Sequence, residues 1–557
     1  MKIKIFAFLL VVLMLVPMIV ACGGNKKTDT TSNTNSNTTP TNTNTESNTN
    51  SNTESTTNTD STTNTDSGKP VEKVDVTSAA SKEYAKSKWS GKTLDVLAAR
   101  WYGTTSMEEA GTWSQPEFYV KGYFNDTQYG QLVNDAVWTR QEKIKEDYGV
   151  DLKWFAGAND GVLQNELQSG LEAGYAKYHI ALPRMFEAQA LLGAETVYDL
   201  ANSKYIDLTK SHYNQLSVDS FSVYGHTFFV AGDFSFVDEE TATVVFYNQA
   251  ISESIATFPN LYNKVRNGEW TIAELSKWAK LPGLSGDIAE PKGYGDEDAY
   301  GFGSNSLAGF FQSSGIQQVD VQTSSNGERS YVVSLNANNA AVNSLVTQLT
   351  SIKSSTWART SWSGGYGGLE GAFNDGRILF YNEVVQKIRQ FPEQSEDFKI
   401  GVLPMPMLDT DQTMYYTPLC SQTTVMCIPK STTDREMSEF FFEVLTYTGS
   451  SVMEAYYETL GQKLYDDKSP DADGNTSLDN TLEMLTDYIF PGMCYDQGFM
   501  YDAMGQKFMT TVQTETVNST ASSSPFMTLY MEAYGDADKK LNDPKTGWNT
   551  VAKNYKD

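Results

Sequence analysis

The side chains with chemical reach in this chain are mostly aromatic and polar groups, with few sets arranged for catalysis. Arg100, Trp101 and Tyr102 follow a strand-like run, Lys92 to Arg100. In open α/β sheets ligands bind beyond the carboxyl ends of strands, so these three are candidate ligand contacts, or else they cover a sheet edge. Trp362 and Tyr366 lie in a glycine-rich stretch, SWSGGYGGLEG, which suits either an aromatic laid over a ligand or a tight surface excursion. Tyr and Trp join a flat apolar face to a hydrogen-bonding edge. With 31 Tyr and 10 Trp, the composition suits sugar rings. Asp471, Asp473, Asn475 and Asp479 offer oxygen ligands at alternate positions, as calcium loops do. Gly474 stands before Asn475 where such a loop needs it after, and no Glu closes the loop. A solvated turn is therefore the first reading and calcium the second.

The sets needed for hydrolysis are missing. The histidines, His179, His212 and His226, show no HExxH spacing, and no GxSxG elbow occurs. Asp238, Glu239 and Glu240 are adjacent, whereas a glycosidase needs carboxylates on either side of a sugar. YGFGSNSLAGFFQSSG at Tyr300 fits neither a dinucleotide fingerprint nor a phosphate loop. A binding protein is expected and no catalytic residue is assigned, with a secreted glycan-acting hydrolase or an adhesin as the alternative class. The formal charge of −27 repels phosphate backbones and anionic headgroups, which argues against nucleic acid as a partner.

These groups need elements to hold them. Val244 to Tyr247 reads as a buried strand, and Thr271 with Glu274 as a capping box that opens a helix burying Ile272, Leu275 and Ala279, ended by Pro282-Gly283. Asp135 to Tyr148, closed by Gly149, and Asn165 to Tyr175 read as helices between strands at Lys92, Val150 and His179. Repeated strand and helix predict a mostly parallel sheet. Residues 23–69 are nearly all Ser, Thr, Asn and acidic, too apolar-poor to fold, so residues 22–89 are expected to form a disordered tether. Before it, Lys2 and Lys4 precede an apolar run, Ile5 to Val20, expected to be a signal peptide over residues 1–21. Ile19-Val20-Ala21-Cys22 resembles the lipobox of bacterial lipoproteins, which implies diacylation of Cys22 and anchoring on the outer face of the cell membrane; an ordinary cleaved secretory signal is the alternative. Cys420, Cys427 and Cys494 are expected to be free thiols, with a disulfide to Cys494 as the alternative.

VVFYNQ at Val244, NGEWTIAEL at Asn267, DAYGFG at Asp298, FNDGRILFYNE at Phe373, IGVLPMPMLDTDQTMYY at Ile400 and LEMLTDYIF at Leu482 occur in the order found in family 1 extracellular solute-binding proteins, which the chain resembles after Ser90. The resemblance implies a type II periplasmic-binding-protein-like α/β fold: two lobes with mixed, mostly parallel sheets flanked by helices, joined by a hinge. One lobe would take residues 90–243 and 415–464, the other 244–406 and 465–557, with a crossing at 407–414. It further implies a sugar or oligosaccharide held on hinge closure, delivery to the permease of an ABC importer, a monomer, and no resident cofactor. A peptide or other organic solute is the alternative ligand, for which Arg100 or Glu383 would supply a charged partner. Ligand contacts are expected from Phe186 and Glu187 at a strand-to-helix passage, Asp233 before the crossing strand, and Phe310 and Gln312 in the second lobe. Tyr381, Asn382 and Glu383 would lie where a strand leaves its sheet, and Tyr415 and Tyr416 beside the hinge. The chain departs from the family at His212-Tyr213, usually two tryptophans, and at Val384-Val385, where maltose-type relatives carry a stacking aromatic.

Overall fold

The computed structural model describes residues 71–99, 126–157, 163–280, 299–333, 339–360, 366–496 and 535–556, apart from positions 176, 318, 421, 422, 465, 467, 469, 472, 473 and 536. Helix α1 (Ala79–Trp89) opens at Ser78, whose hydroxyl accepts the Ser81 amide at 3.2 Å. It ends on Trp89, fully buried against Phe440 and Phe441 at ring separations of 5.3 and 5.7 Å, with its indole N–H on Asp434 at 3.1 Å. Folded structure therefore starts ahead of Ser90. The tether expected over 22–89 runs too far, because Val76, Ala85 and Trp89 supply the buried apolar anchors that residues 23–69 lack.

The first lobe follows the strand and helix alternation: β1 (Thr93–Ala98), α2 (Asp126–Tyr148), β2 (Asp151–Ala156), α3 (Leu163–Glu172) and β3 (Ile180–Leu182), then α4 (Ala188–Gly193), α5 (Gln215–Phe221) and the hairpin β4 (Ser222–Val223) with β5 (His226–Thr227). Gly149 ends α2 at a φ of +75°, where a side chain would be strained. The three parallel strands lie in the order β2-β1-β3. Two irregular pieces extend this sheet. The segment around Thr424–Cys427 runs antiparallel to Ala181 and Arg184, and on its far side Met426 bridges Val230 antiparallel.

After the short helix α6 (Val237–Thr241) come β6 (Thr243–Asn248), α7 (Leu261–Arg266) and α8 (Ile272–Ala279). They are followed by β7 (Tyr300–Ser304), α9 (Gly309–Ser313), the hairpin β8 (Val319–Thr323) and β9 (Arg329–Val333), α10 (Asn339–Lys353), β10 (Ala358–Arg359), α11 (Tyr366–Asn374), β11 (Ile378–Val384) and β12 (Ile400–Pro404). The second sheet has the order β10-β7-β11-β6-β12, with β6 antiparallel to both neighbours. Val244 to Tyr247 is thus the buried strand expected, paired on both edges. Thr271 caps α8 by accepting the Glu274 amide at 3.2 Å, and Ile272, Leu275 and Ala279 are buried. The reciprocal half of the capping box does not form, because the Glu274 carboxylate accepts the Trp278 indole N–H at 2.6 Å. Pro282-Gly283 lies outside the described residues.

The chain then passes through β13 (Thr417–Pro418), the 29-residue helix α12 (Arg435–Lys463), α13 (Ser477–Glu483), β14 (Met493–Cys494) and α14 (Trp548–Lys553). Helix α12 lies along α2 in the first lobe, and α13 packs on β12 in the second. Each sheet therefore shows one order: second, first, third, an antiparallel strand brought in from the other lobe, then fourth. This is the two-lobed type II periplasmic-binding arrangement.

Two expected boundaries move. Residues 407–414 stay with the second lobe, since Met407 exchanges backbone bonds with Trp270 and Ile272 and the Gln412 amide donates to Ser313 O at 2.8 Å. The crossing comes later, where Thr417 to Cys420 leave the second lobe and the Cys420 amide meets Thr241 O. The C-terminal residues do not all join the second lobe: Tyr555 packs between His226 and Phe228 at 5.1 and 5.0 Å, and its hydroxyl accepts the Asp199 amide at 3.1 Å, all in the first lobe. Cys420, Cys427 and Cys494 carry free thiols, and burial holds those of Cys427 and Cys494 far above the usual range.

Candidate functional site

The sheet pairings locate the ends of the strands. Val384 and Pro404, the last residues of β11 and β12, pair with Thr243 and Val244 at the start of β6, and Arg184, just past β3, bridges Thr424. The carboxyl ends of both sheets therefore meet at the crossings between lobes, where α/β folds bind ligands.

The crossings are tied together. The Cys420 amide donates to Thr241 O at 3.0 Å, Val385 N–H to Ala242 O at 2.9 Å and Gln386 N–H to Glu240 O at 3.0 Å, while the hydroxyls of Thr241 and Thr423 lie 2.5 Å apart. Three buried acids hang from this knot. Asp238 accepts the Tyr495 hydroxyl at 2.8 Å and is hydrogen-bonded to Glu239; burial raises both acids, and the neighbouring Asp238 charge raises Glu239 further. Glu240 faces Arg389 at 2.6 Å, with side chains 3% and 2% exposed. Burial raises the Glu240 carboxyl against the pull of Arg389. These acids hold the crossing together, a use that adjacency in sequence did not suggest.

Several expected contacts are occupied by the protein itself. Glu187 accepts the amide of Leu163 at the start of α3 and that of Arg184 at 3.1 Å. Burial pushes its carboxyl up to about 7, against the lowering by those two amides. Phe186 sits under the Arg184 guanidinium at 5.8 Å. Asp233 accepts the Ser450 hydroxyl at 2.6 Å on α12, and burial raises it to about 6. Tyr381 is a core residue beside Phe373, and Phe310 is buried against Phe302. Asn382 is fully engaged, accepting from Ser304 Oγ at 3.0 Å and donating to Val244 O at 2.9 Å and to Met405 Sδ. Tyr415 is buried and donates to Val265 O at 3.2 Å. A sheet covered on both faces buries alternate residues alike, so position at a strand end did not make Tyr381 or Asn382 accessible.

The remaining candidates are not taken up in this way. Tyr416 is half-buried against Gly315, and Glu383 is half-buried at the end of β11, with burial raising its carboxyl against Lys387. Gln312, 1% exposed on α9 just beyond β7, has no hydrogen-bond partner for either amide atom among the described residues, and neither has the buried Thr417 Oγ1 in the crossing strand packed against α9. Arg100, Trp101, Tyr102 and Trp362 lie outside the described residues, as does the Tyr366 side chain.

The acidic loop serves a helix. Asp471 accepts the amide of Asn475 at 3.0 Å and the side-chain amide of Asn480 at 3.0 Å, while Asp479 and Thr476 form a capping box on α13. Asp473 is outside the described residues, among which no His, Cys, Asp or Glu cluster has metal-holding geometry. Asp479→Ala is expected to lower stability by about 1 kcal/mol, equally with and without calcium, in denaturant unfolding. A loss confined to calcium-containing buffer would restore the metal reading.

A separate polar cavity of about 290 Å³ lies between α5 and the β8–β9 hairpin, lined by Asp219, Ser220, Gln317, Asp320, Arg329 and Tyr495 among others. None of the expected ligand contacts among the described residues lines it.

No family model and no curated protein matches the chain. Solved structures do resemble it at low identity. The ABC substrate-binding protein Lmo0181 from Listeria monocytogenes, in complex with cycloalternan, is 14% identical over 81% of this chain and 98% of its own, with a TM-score of 0.47. The apo form of RafE from Streptococcus pneumoniae gives 15%, 83%, 98% and 0.48 in the same order. A family 1 extracellular solute-binding protein from Bifidobacterium longum subsp. infantis gives 13%, 80%, 99% and 0.47.

Proposed function

We propose that the chain is a solute-binding protein that takes a sugar or oligosaccharide between its lobes by hinge closure and presents it to the permease of an ABC importer. The observation that carries this is the doubled sheet order, which brings the carboxyl ends of two sheets to one set of crossings. The Gln312 amide, unpartnered among the described residues, supports it: a buried amide without a partner is costly, and sugar hydroxyls both donate and accept. Closure would expel water and strengthen such bonds. Anchoring through acylated Cys22 belongs to the same reading. Among the described residues no helix is long and apolar enough to cross a membrane.

The test is a thermal-shift screen of the full chain against maltotriose, raffinose, monosaccharides, di- to pentapeptides and calcium, since a ligand of the native state raises the midpoint by mass action. A glycan shift supports the proposal. A shift with peptides alone overturns the sugar assignment. Gln312→Leu sharpens the result: the ligand-free protein should gain about 1–3 kcal/mol while the glycan shift is lost. A variant that is less stable and still binds would show that Gln312 has only a packing role.

A further inference from the structure

The hairpin β8–β9 has its roots in one lobe and its partners in the other. It leaves α9 through bonds from Gly315 and Ile316 to Gln312 O and Phe311 O, both 2.9 Å, and the chain after it continues into α10, packed on α8 and α9 in the second lobe. Its body meets the first lobe. Arg329 O accepts the Tyr224 amide at 2.9 Å, while the Arg329 guanidinium lies 3.2 Å from the Asp219 carboxylate and donates to Asp219 O at 2.7 Å. On the outer edge of β9, Asn549 of α14 takes the place of a further strand: its Oδ1 accepts the Tyr331 amide at 2.8 Å and its Nδ2 donates to Tyr331 O at 2.7 Å. Trp548 packs edge-on to the Tyr331 ring at 5.1 Å, and all three residues are buried.

The segment carrying Asn549 is itself fixed to the first lobe, through Thr546 against Gly193 and Tyr555 against Asp199, His226 and Phe228. The cavity lies on another side of the hairpin, lined by α5 and by residues of both β8 and β9, and the Val319 amide of β8 donates to Asp496 at 3.2 Å. The edge of the hairpin at Tyr331 is thus clamped to the first lobe by buried bonds. A rotation of the second lobe must either carry the hairpin about its clamped edge or break buried bonds.

We propose that the segment 546–555 and the β8–β9 hairpin form a brace that sets the angle between the lobes and, through it, solute affinity. The affinity part rests on the solute-binding reading; the geometric part does not.

The experiment places spin labels on Lys143→Cys in α2 and Lys277→Cys in α8, both exposed, in the full chain with Cys22→Ser and Cys420→Ser. Interlobe distances are then compared with and without Asn549→Leu. Arg329→Gln is the second variant and decides alone if the first does not fold. Lys82→Gln, which removes an ion pair inside the first lobe, is the control. The brace predicts a broadened or displaced distance distribution in both variants and an unchanged one in the control. Distributions that superimpose on the parent in folded variants overturn it. Titration with maltotriose and raffinose should show affinity altered about fivefold or more, the ordinary size of such coupling. A changed distance with unaltered affinity overturns the regulatory part. If neither glycan binds the parent, the sugar reading is what fails, and the distances still decide the brace.

Discussion

Replacing Arg389 with methionine should lower the unfolding free energy by about 3–5 kcal/mol, because it leaves the Glu240 carboxylate buried without its cation. Both side chains lie inside the knot between the crossings, and the remaining polar contact to Glu240, from Gln386 Nε2 at 3.3 Å, is long and neutral. Much of the loss belongs to the stranded charge and not to the value of the pair, so the double variant Glu240→Leu/Arg389→Met should return to within about 1 kcal/mol of the parent. The single variant should also suffer less at about pH 5 than at about pH 8, since a buried acid with no cation takes up a proton. Urea unfolding of the parent and both variants checks this. A single variant within about 1 kcal/mol of the parent would show that water reaches Glu240.

Stability should fall as pH rises from about 5 to about 8, the reverse of ordinary acid denaturation. The folded protein holds Glu187 at about 7 against 4.5 for a free Glu, and Asp233 at about 6 against 3.8 for a free Asp, burial being the main cause in each. Each group binds its proton more tightly when folded, so its contribution is complete below the free value and is lost as pH climbs through the folded one. A displacement of that size is worth about 3 kcal/mol per group. Glu239 adds in the same direction. The opposing carboxylates act lower: Glu436, held near 2 despite the cost of burial by bonds from Lys88 and Tyr205, gives up its contribution only as pH drops below the free Glu value. A maximum at about pH 4.5 follows. Glu187→Gln and Asp233→Asn should each flatten the alkaline limb while keeping acceptors for the α3 amide and for Ser450. A profile level from about pH 5 to 8 would contradict the burial of both acids.

What the sequence disclosed and what it hid divide along the range of the interactions. Val244 to Tyr247 and the Thr271 cap are written within a few residues of themselves, and both formed. Trp89 could not be recognised as a core residue because its partners, Phe440 and Phe441, lie at the other end of the chain. Arg389 and Glu240 carry no spacing signal for the same reason, nor do Asn549 and Tyr331. Resemblance put Asn382 near a strand end, where β11 does close, but carries no information on its neighbours. Its amide looks like a ligand contact in sequence, and only the positions of Ser304, Val244 and Met405 reveal that it is spent.

Helix α1 has a mechanical consequence. The N-terminal chain enters the folded protein through Val76, Ala85 and Trp89, all seated in the first lobe. Tension along that chain is thus delivered first to the first lobe, which would act as the stator for any swing of the second.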